Sequence, residues 1–436
     1  MTEPSAGLEQ EETEHDVDLI HECVVKMAKE ISDFMDITPD KQRMDSLMVA
    51  ANIRNLSLLE LFYTCVANLC KIMDERGTKI PDEQHHYIEK DDYNKCIYHK
   101  RDMDATERNV VVMKDADILI KICDSTGDFD DTSEYQLLIR LLKERTIIDD
   151  DGSRRLRQKE EVENPSEVLL NPSDPEATFR YKAGGRHLGY VGNVVEAVGE
   201  KSSLVIVYDY QQNTYADNQF MKDYLNEKKD FSEGSFIVAD GAYSGEENSR
   251  LASEHNLKLV TTNFTGRKPD EIYADFAFTD DGKYLIKCKN NCAPKDCIYD
   301  PGNDRSVAYF RISDCEGCPY KERCQSRFLK TRVRKEVSWK SVGRAKQLQY
   351  MQTEEFSEYA KFRNGVEAIP SLLRRRYHVD KIPVHGKKRT RLFFGFKIAA
   401  LDFQKLLDYK KALYFPKSWS IESRRPARSP ISFVAE

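Results

Sequence analysis

The acid best placed to do chemistry is Asp240, which comes directly after a short apolar run. Ser235 to Ala239 (SFIVA) has the composition of a buried strand, and the turn Gly-Ala-Tyr-Ser-Gly follows the acid. A carboxylate at the C-terminal edge of such a strand can reach a metal ion or a substrate. The alternative is a turn aspartate that caps the next helix. Both alternatives put Asp240 at the end of a strand.

A second acid, Glu367, lies on a predicted helix that begins near Thr353. Tyr359, Arg363 and Glu367 are spaced four residues apart, so they share one face of that helix. Arg363 could then hold a phosphate while Glu367 holds a metal ion. The alternative is an Arg–Glu surface pair, which would contribute little to stability.

Two further acids are candidates. Asp45 lies in an apolar setting before Val49–Ala51, where it is either a metal-binding acid on a strand or the N-cap of a helix over residues 46–53. Asp174 precedes a proline in Ser-Asp-Pro-Glu-Ala, and an Asp-Pro pair in a loop is usually a turn. Asp174 is therefore the reserve candidate.

Six of the eleven cysteines are concentrated between residues 288 and 324. Cys315 and Cys318 form a Cys-x2-Cys pair, and Cys292 and Cys324 lie on either side of it. Four such thiols suit a tetrahedral structural Zn²⁺. The alternative is a set of reduced cysteines packed in a small insertion. Of the other cysteines, most lie on apolar helical stretches as core thiols, and Cys96 has no assigned role.

The charge is unevenly distributed along the chain. The whole sequence has a net charge of −7, but 26 Lys and Arg stand against 10 Asp and Glu from Arg327 onward. A basic segment on an acidic body is typical of a polyanion binder. We expect Arg327–Lys346 and Arg374–Arg391 to contact nucleic acid, with aromatic side chains nearby. The alternative is a solvated basic surface.

Several function classes are disfavoured by missing patterns. The sequence has no P-loop, no Gly-x-Gly-x-x-Gly, no His-Glu-x-x-His and no Gly-x-Ser-x-Gly. Its apolar runs are shorter than a spanning helix needs. The first eighteen residues carry seven acids and no Lys or Arg, the reverse of a signal peptide, so we expect a cytoplasmic location without membrane association.

The elements that must position these residues alternate in type. Helical spacing covers Leu56–Met73 and Ser133–Arg145, and Val-rich strand segments cover Gly189–Val198 and Ser203–Tyr210. Further helices and strands alternate up to Thr261, which predicts an α/β sheet. The helix from Thr353 is expected to continue through Arg376 with a kink at Pro370.

Taken in order, these segments resemble bacterial insertion-sequence DDE transposases. The resemblance covers about residues 40–410 and includes the cysteine block before the final acid. The segments that carry it are Arg43–Ser46 with Val49–Asn52, Ser173–Ala177 with Gly189-Tyr190, Ala239–Ser244, Arg363–Leu372, Arg374–Arg376, Gly386 and Phe394–Leu407.

The resemblance implies a ribonuclease-H-like fold, an α/β mixed sheet flanked by helices, with a helical insertion after the first strand and a small Cys-rich insertion. It assigns Asp45, Asp240 and Glu367 as the acids that hold two Mg²⁺ or Mn²⁺ ions for phosphodiester cleavage and strand transfer. It further implies double-stranded DNA, both transposon ends and target, as partner and a homodimer or higher oligomer on DNA. The implied DNA-binding residues are Arg363, Arg374, Arg375, Arg376, Lys387, Lys388 and Arg389.

The expected organisation has five parts. These are an acidic tail with a short helical remnant (1–40), the first part of the catalytic core with a helical insertion at about 56–165 (41–275), the Cys-rich insertion (276–330), the C-terminal part of the core (331–415) and a loose tail (416–436). Relatives usually place a helical DNA-binding region ahead of the first acid, so we expect an N-terminal truncation here. Two alternatives stay open: an inactive DNA-binding remnant of a transposase, and a ribonuclease-H-like nuclease without strand transfer.

Overall fold

The structure, a computed structural model, describes residues 18–99, 104–182, 184–227, 231–264 and 266–414. The predicted tail over 416–436 and most of the predicted acidic start lie outside these residues. Contacts divide the chain into two compact units. The first unit contains the described residues of 1–41, 45–216 and 368–436, and the second contains those of 42–44 and 217–367.

Helices and strands alternate over most of the described chain. The helices are α1 (Leu19–Met35), α2 (Leu58–Glu75), α3 (Asp92–Asn94), α4 (Ala105–Thr126), α5 (Ser133–Arg145), α6 (Asp217–Glu227), α7 (Glu246–Glu254), α8 (Ile312–Glu316), α9 (Lys321–Cys324), α10 (Trp339–Tyr350), α11 (Glu354–Arg363), α12 (Ala368–Arg375) and α13 (Lys387–Tyr414). The strands are β1 (Lys41–Ala50), β2 (Thr146–Ile148), β3 (Arg154–Leu156), β4 (Thr178–Lys182), β5 (Gly185–Val198), β6 (Ser203–Gln212), β7 (Phe236–Ala239), β8 (Lys258–Thr261), β9 (Ala277–Phe278), β10 (Leu285–Lys287), β11 (Asp296–Asp300), β12 (Arg305–Phe310), β13 (Arg327–Phe328) and β14 (Val333–Val337).

The main sheet is mixed, and its strands follow the order β4-β5-β1-β7-β8, with β6 paired to β5. The pairs β4–β5 and β5–β6 are antiparallel, whereas β7 and β8 run parallel. Four consecutive residues of β1, from Ser46 to Val49, are buried, as expected of a strand covered on both faces. The predicted α/β class, a mixed sheet flanked by helices, is confirmed.

The core of the first unit forms where α1 and α13 pack on β5 and β6. Phe394 and Ile398 of α13 are fully buried against Tyr208 and Val194 of these strands. The approach is close because a Cβ on Gly192 would overlap the ring of Phe394. A glycine in β5 thus lets a large aromatic ring settle on the sheet.

The helices between β1 and β4 have an apolar core of their own. Phe62 and Leu69 of α2 pack with Ala116 of α4 and Leu138 of α5, and all four are fully buried. The helices α2 and α4 both begin with capping boxes, Ser57 with Glu60 and Asp104 with Glu107. The strong helical pattern of the sequence is therefore matched by three packed helices.

In the second unit, α11 packs on the parallel strands through Phe356, Val238 and Val260. Strands β9 to β14 surround a separate small core with Phe276, Phe310 and Val333, against which cysteines of the Cys-rich segment pack. The region that contains the clustered cysteines therefore has an apolar core of its own.

The predicted continuous helix from Thr353 to Arg376 is wrong. Helix α11 ends at Arg363, residues 364–367 form a turn, and α12 begins at Ala368. Pro370 explains the position of the break, because its ring clashes with the carbonyl of residue 366 and it supplies no N–H to that carbonyl. The interruption therefore lies before the proline, whereas the prediction placed a kink at it.

No helix within the described ranges combines the length and apolar character that crossing a bilayer requires.

Asp402 on α13 gives the stability of the first unit a pH dependence. Its carboxylate is fully buried and accepts the N–H of Val205 at 3.1 Å. Burial raises the pKa of Asp402 to about 8, while that hydrogen bond and the nearby Lys405 lower it. The folded state therefore holds this proton more tightly than the unfolded state, so its contribution to stability is present below about pH 4 and is lost as the pH rises through 8.

We expect Asp402→Asn to be more stable than the parent at pH 8.5, by about 1 kcal/mol or more in free energy of unfolding. The difference should shrink toward about pH 3, where the carboxyl group is mostly neutral in both the folded and the unfolded state. Denaturant unfolding at several pH values measures this. Asp408→Asn, an exposed acid two turns along the same helix, serves as the control. A difference that does not change with pH would contradict the buried ionisation.

Candidate active site

Asp240 lies at the C-terminal end of β7 with its carboxylate held in place and partly open to solvent. Its Oδ1 accepts the N–H of Gly241 at 2.5 Å and the Nδ2–H of Asn263 at 2.9 Å. The side chain is 41% exposed. Asp240 also caps the short 3₁₀ turn Gly241–Tyr243. Capping uses Oδ1 and leaves Oδ2 facing Arg363, so the capping role does not occupy both oxygens.

The sequence prediction did not include Asn263, although a signal for it was present. Asn263 comes two residues after β8, and β8 runs parallel to β7. The C-terminal ends of parallel neighbours meet at the same sheet edge, so a polar residue after β8 is positioned beside Asp240. Its amide fixes one oxygen of the carboxylate.

Arg363 pairs with Asp240. One terminal nitrogen of the guanidinium is 3.5 Å from Oδ2 of Asp240, and the Arg363 side chain is 23% exposed. The sequence predicted that Arg363 and Glu367 lie on one face of a helix. They do not, because Glu367 lies in the turn after α11, where it is exposed. Tyr359 packs edge-on against Phe236 at 4.8 Å between ring centroids, as part of the apolar contact between α11 and β7.

The turn that carries Glu367 is shaped by Arg43, a residue the prediction did not assign a role. The guanidinium of Arg43 lies over the ring of Phe362, with its Cζ 4.2 Å from the ring centroid. A Cβ on Gly365 would overlap that guanidinium. Only glycine therefore leaves room for Arg43 between the end of α11 and the turn.

Asp45 lies on β1 and is half-buried. Its Oδ1 accepts the N–H of Ser46 at 2.9 Å. Because residues 46–50 continue the strand, Asp45 does not cap a helix over 46–53. Asp45 belongs to the first unit, whereas Asp240 and Glu367 belong to the second.

Asp174, the reserve candidate, has an environment unlike that of Asp240. It is fully buried, and its two oxygens accept hydrogen bonds from the hydroxyl of Tyr190 at 2.5 Å and from the N–H of Gly386 at 2.8 Å. Both oxygens are thus used within the first unit. This arrangement ties the loop before β4 to the start of α13 and favours a structural role.

A groove of about 740 Å³ in the second unit is lined by basic and aromatic side chains, together with Glu246 and residues of β8. One wall is Ser244 and Gly245, which follow the turn capped by Asp240. The other is α10, which contributes Trp339, Lys340, Arg344, Lys346 and Tyr350. Trp339 is 41% exposed, and the Nζ of Lys346 lies 5.8 Å from its ring centroid. Part of the predicted basic segment Arg327–Lys346 thus faces a groove.

The remaining predicted basic residues lie at helix ends in the first unit. Arg374 and Arg375 end α12, and Arg376 follows it and donates to Oε1 of Gln404 at 3.1 Å. Lys387, Lys388 and Arg389 form the first turn of α13.

Residues 288–407 match the family model described as a transposase DDE domain. This match supports a DDE transposase. No curated protein and no solved structure matches it significantly. The matched range contains Glu367, Arg363 and the basic helix ends, whereas Asp45 and Asp240 lie before it.

The Cys-rich segment brings thiols together around a cavity of about 30 Å³. Cys288, Cys315, Cys318 and Cys324 line it, and Cys292 lies next to Cys288, whose N–H donates to the Cys292 carbonyl at 3.0 Å. Burial and the neighbouring thiols, first Cys324, raise the pKa of Cys315 to about 12. Within the described residues, no three of these sulfur atoms lie within 4.8 Å of one another.

Cys297 is in a different environment. It lies on β11, where its sulfur accepts the N–H of Leu285 at 3.3 Å and is 3.7 Å from the hydroxyl of Ser306. Three of the four predicted zinc ligands, Cys315, Cys318 and Cys324, line the cavity. The fourth cysteine that lines it is Cys288, whereas the prediction named Cys292.

Gly365→Ala should destabilise the protein by about 1–3 kcal/mol, because the new methyl group displaces Arg43 from its place over Phe362. Denaturant unfolding measures the loss, and hydrogen exchange should increase at the amides of residues 364–367. Gly343→Ala on α10 is the matched control, since a Cβ there meets open space. Equal stability of the two variants would show that Arg43 does not constrain the turn.

Proposed function

We propose that this protein is a transposase that binds double-stranded DNA and cleaves and joins phosphodiester bonds at the ends of an insertion sequence. The observation that carries the proposal is the site around Asp240. A partly exposed carboxylate is fixed by Asn263, pairs with Arg363, and precedes the wall of a basic groove. The proposed core is ribonuclease-H-like, and the proposed acids are Asp45, Asp240 and Glu367.

The donor atoms at the site fit Mg²⁺ or Mn²⁺. Asp240 and Glu367 offer carboxylate oxygens that solvent reaches, and hard divalent cations prefer such ligands. Asp174 does not fit, because both of its oxygens are occupied and buried. When bound, two divalent ions would activate the attacking hydroxyl or water and stabilise the leaving oxygen.

Hydrogen-bond donors of the chain itself orient the carboxylate of Asp240. Asn263 and the N–H of Gly241 hold Oδ1, so Oδ2 of Asp240 keeps one direction. Arg363 neutralises that oxygen when no cation does. With a cation bound, the guanidinium becomes available to a DNA phosphate, for which its planar set of donors is well suited.

The groove supports DNA as the partner. Lys340, Arg344 and Lys346 can neutralise backbone phosphates, while Trp339 and Tyr350 offer ring faces for sugar or base contact. The groove wall at Ser244 lies four residues after Asp240. Nucleic acid in the groove would therefore run beside the acid that acts on it.

The start of α13 offers a second place for phosphate. Lys387, Lys388 and Arg389 lie at the positive end of a 28-residue helix whose first turn has no acidic residue. Cations at this end are unfavourable by about 0.3–1 kcal/mol each. A phosphate there would receive both the helix N-terminus and the side-chain charges, so bound DNA would offset this cost.

We further propose a structural Zn²⁺ among the clustered thiols of the Cys-rich segment. The cavity that Cys288, Cys315, Cys318 and Cys324 line is close to the volume of a single water molecule. Thiolate is the ligand type that structural Zn²⁺ favours. A small inward movement of the four side chains would bring their sulfur atoms around one ion and would tie α8 and α9 to the strands beside them.

Asp240→Asn and Glu367→Gln should each lower DNA cleavage by about 100-fold or more, because an amide is a poor ligand for the ions that supply several kcal/mol of transition-state stabilisation. The assay uses labelled duplex carrying the flanking element's ends with Mg²⁺ or Mn²⁺. DNA binding, measured separately, should stay largely unchanged. Glu233→Gln, another exposed acid of the second unit, is the control.

The outcomes separate the candidate functions. Full cleavage by either variant would remove that acid from the site. A parent that binds DNA but produces no metal-dependent products would be an inactive remnant. A parent that cleaves any duplex without joining ends would be a nuclease. Only end-specific, metal-dependent cleavage and joining support the transposase proposal.

Lys340→Gln combined with Lys346→Gln should weaken DNA binding and reduce its salt dependence. Each phosphate contact contributes about 0.9 to the slope of log K against log salt, so the slope should fall by roughly 1.8. Fluorescence anisotropy over a range of salt concentrations measures this. Lys29→Gln and Lys71→Gln together remove two exposed lysines of the first unit as a charge-matched control. Equal slopes in the two double variants would rule out the groove as a DNA contact.

A further inference from the structure

Three side chains of different chemistry converge in the helical region between β1 and β4. The Nδ1 of His86 lies 2.8 Å from Oδ2 of Asp92, and the Sγ of Cys96 lies 3.4 Å from the same oxygen. All three potential ligand atoms lie within 4.8 Å of one another. Among the described residues this is the one group of three or more His, Cys, Asp or Glu side chains that meets this spacing. The transposase chemistry proposed above uses none of them.

Three consecutive short turns of the backbone bring these residues together. His86 lies in the 3₁₀ turn His85–Ile88, Asp92 begins α3, and Cys96 lies in a π-helical turn over Lys95–His99. Turns of the π type are rare and are concentrated at functional sites. The guanidinium of Arg108 donates to the carbonyl of Cys96 at 3.2 Å and to that of Ile97 at 2.9 Å, which holds this turn in place.

The surroundings combine a buried acid with a small cavity. Asp92 is 6% exposed, and the hydroxyl of Tyr63 donates to its Oδ2 at 2.6 Å. A cavity of about 50 Å³ is lined by His86, Cys96 and Tyr87. This volume exceeds the share of one water molecule, about 30 Å³, so the cavity can hold one.

We propose that His86, Asp92 and Cys96 bind a Zn²⁺ ion, with water from the adjacent cavity as the fourth ligand. Ligands at 2.0–2.3 Å from a tetrahedral ion lie about 3.3–3.8 Å from one another. The Cys96–Asp92 distance already falls in this range, and the His86 imidazole needs to move back by about half an ångström. The metal takes the place of the protons that now bridge His86 and Cys96 to Asp92.

The donor set selects zinc over magnesium. An imidazole nitrogen and a thiolate are ligands for Zn²⁺, whereas Mg²⁺ prefers oxygen ligands. Tyr63 would remain hydrogen-bonded to the ligating carboxylate and orient it, as outer groups do at zinc sites. The site would fasten residues 85–99 to α2 and α4, between which this segment packs.

The test is the zinc content of the full chain, measured by elemental analysis after gel filtration in zinc-containing buffer and then in metal-free buffer. Cys96→Ser and His86→Gln should each bind about one zinc ion per chain less than the parent. The matched controls are Cys23→Ser, an exposed cysteine on α1, and His85→Gln, the exposed neighbour of His86. Both controls should keep the zinc content of the parent.

A second readout separates this site from the proposed cysteine site and from misfolding. Cobalt(II) added to the metal-free chain should give thiolate-to-cobalt absorption, part of which disappears in Cys96→Ser while circular dichroism stays unchanged. Cys96→Asp should restore metal binding through oxygen. Unchanged zinc content and an unchanged cobalt spectrum in Cys96→Ser would overturn the proposal. If the parent chain bound no zinc at these residues, His86, Asp92 and Cys96 would form a hydrogen-bonded cluster and the proposal would be wrong. Neither result depends on DNA cleavage.

Discussion

The packing of the Arg43 guanidinium between the ring of Phe362 and the backbone of Gly365 is the contact on which the candidate active site most depends. Helix α11 ends one residue after Phe362, at Arg363, and the turn that follows carries Glu367. A charged group held over an aromatic face, beside a residue without a side chain, fixes how the chain leaves the helix. The position of Glu367 is therefore set by a residue more than three hundred positions earlier in the sequence.

Acids with similar sequence contexts differ in their burial and hydrogen bonding in the structure. Asp174 and Asp240 both stand at turns, but Asp174 is sealed in the core with Tyr190 and Gly386 on its oxygens. Asp240 has one oxygen held by backbone and amide donors and the other turned toward Arg363 and solvent. A buried carboxylate whose oxygens are already used stabilises a loop junction. A carboxylate with an open oxygen can exchange its partner for a cation.

The chain separates hard and soft metal ligands by region. Carboxylate oxygens at Asp240 and Glu367 are the kind that suits magnesium. Thiols surround the cavity of the Cys-rich segment, and a mixed set stands at His86, Asp92 and Cys96. Because affinity follows ligand softness, ions of different types would be directed to different regions without competing for one site. The family match to a transposase DDE domain over residues 288–407 covers the thiol region and the final acid.

The sequence by itself determined the elements with strong periodicity or composition. The apolar helical repeat of α2, the valines of β5 and β6, and the apolar run before Asp240 each specify local structure, since each pattern has only one way to bury its side chains. The order of acids, cysteines and basic segments also pointed to DDE transposases, and the family model that matches residues 288–407 supports that interpretation.

Tertiary structure decided the rest, because the deciding partners are far apart in the chain. Asn263 reaches Asp240 because β8 lies beside β7. Arg363 forms its ion pair with Asp240, whereas the spacing in the sequence suggested a pair with Glu367. The end of α11 depends on Pro370, which is local in the sequence, and on Arg43, which comes from β1 and which helical spacing does not reveal. Burial gave both oxygens of Asp174 hydrogen-bond partners inside the fold. Local spacing predicts which face a side chain occupies; only the packed fold determines which distant group meets it there.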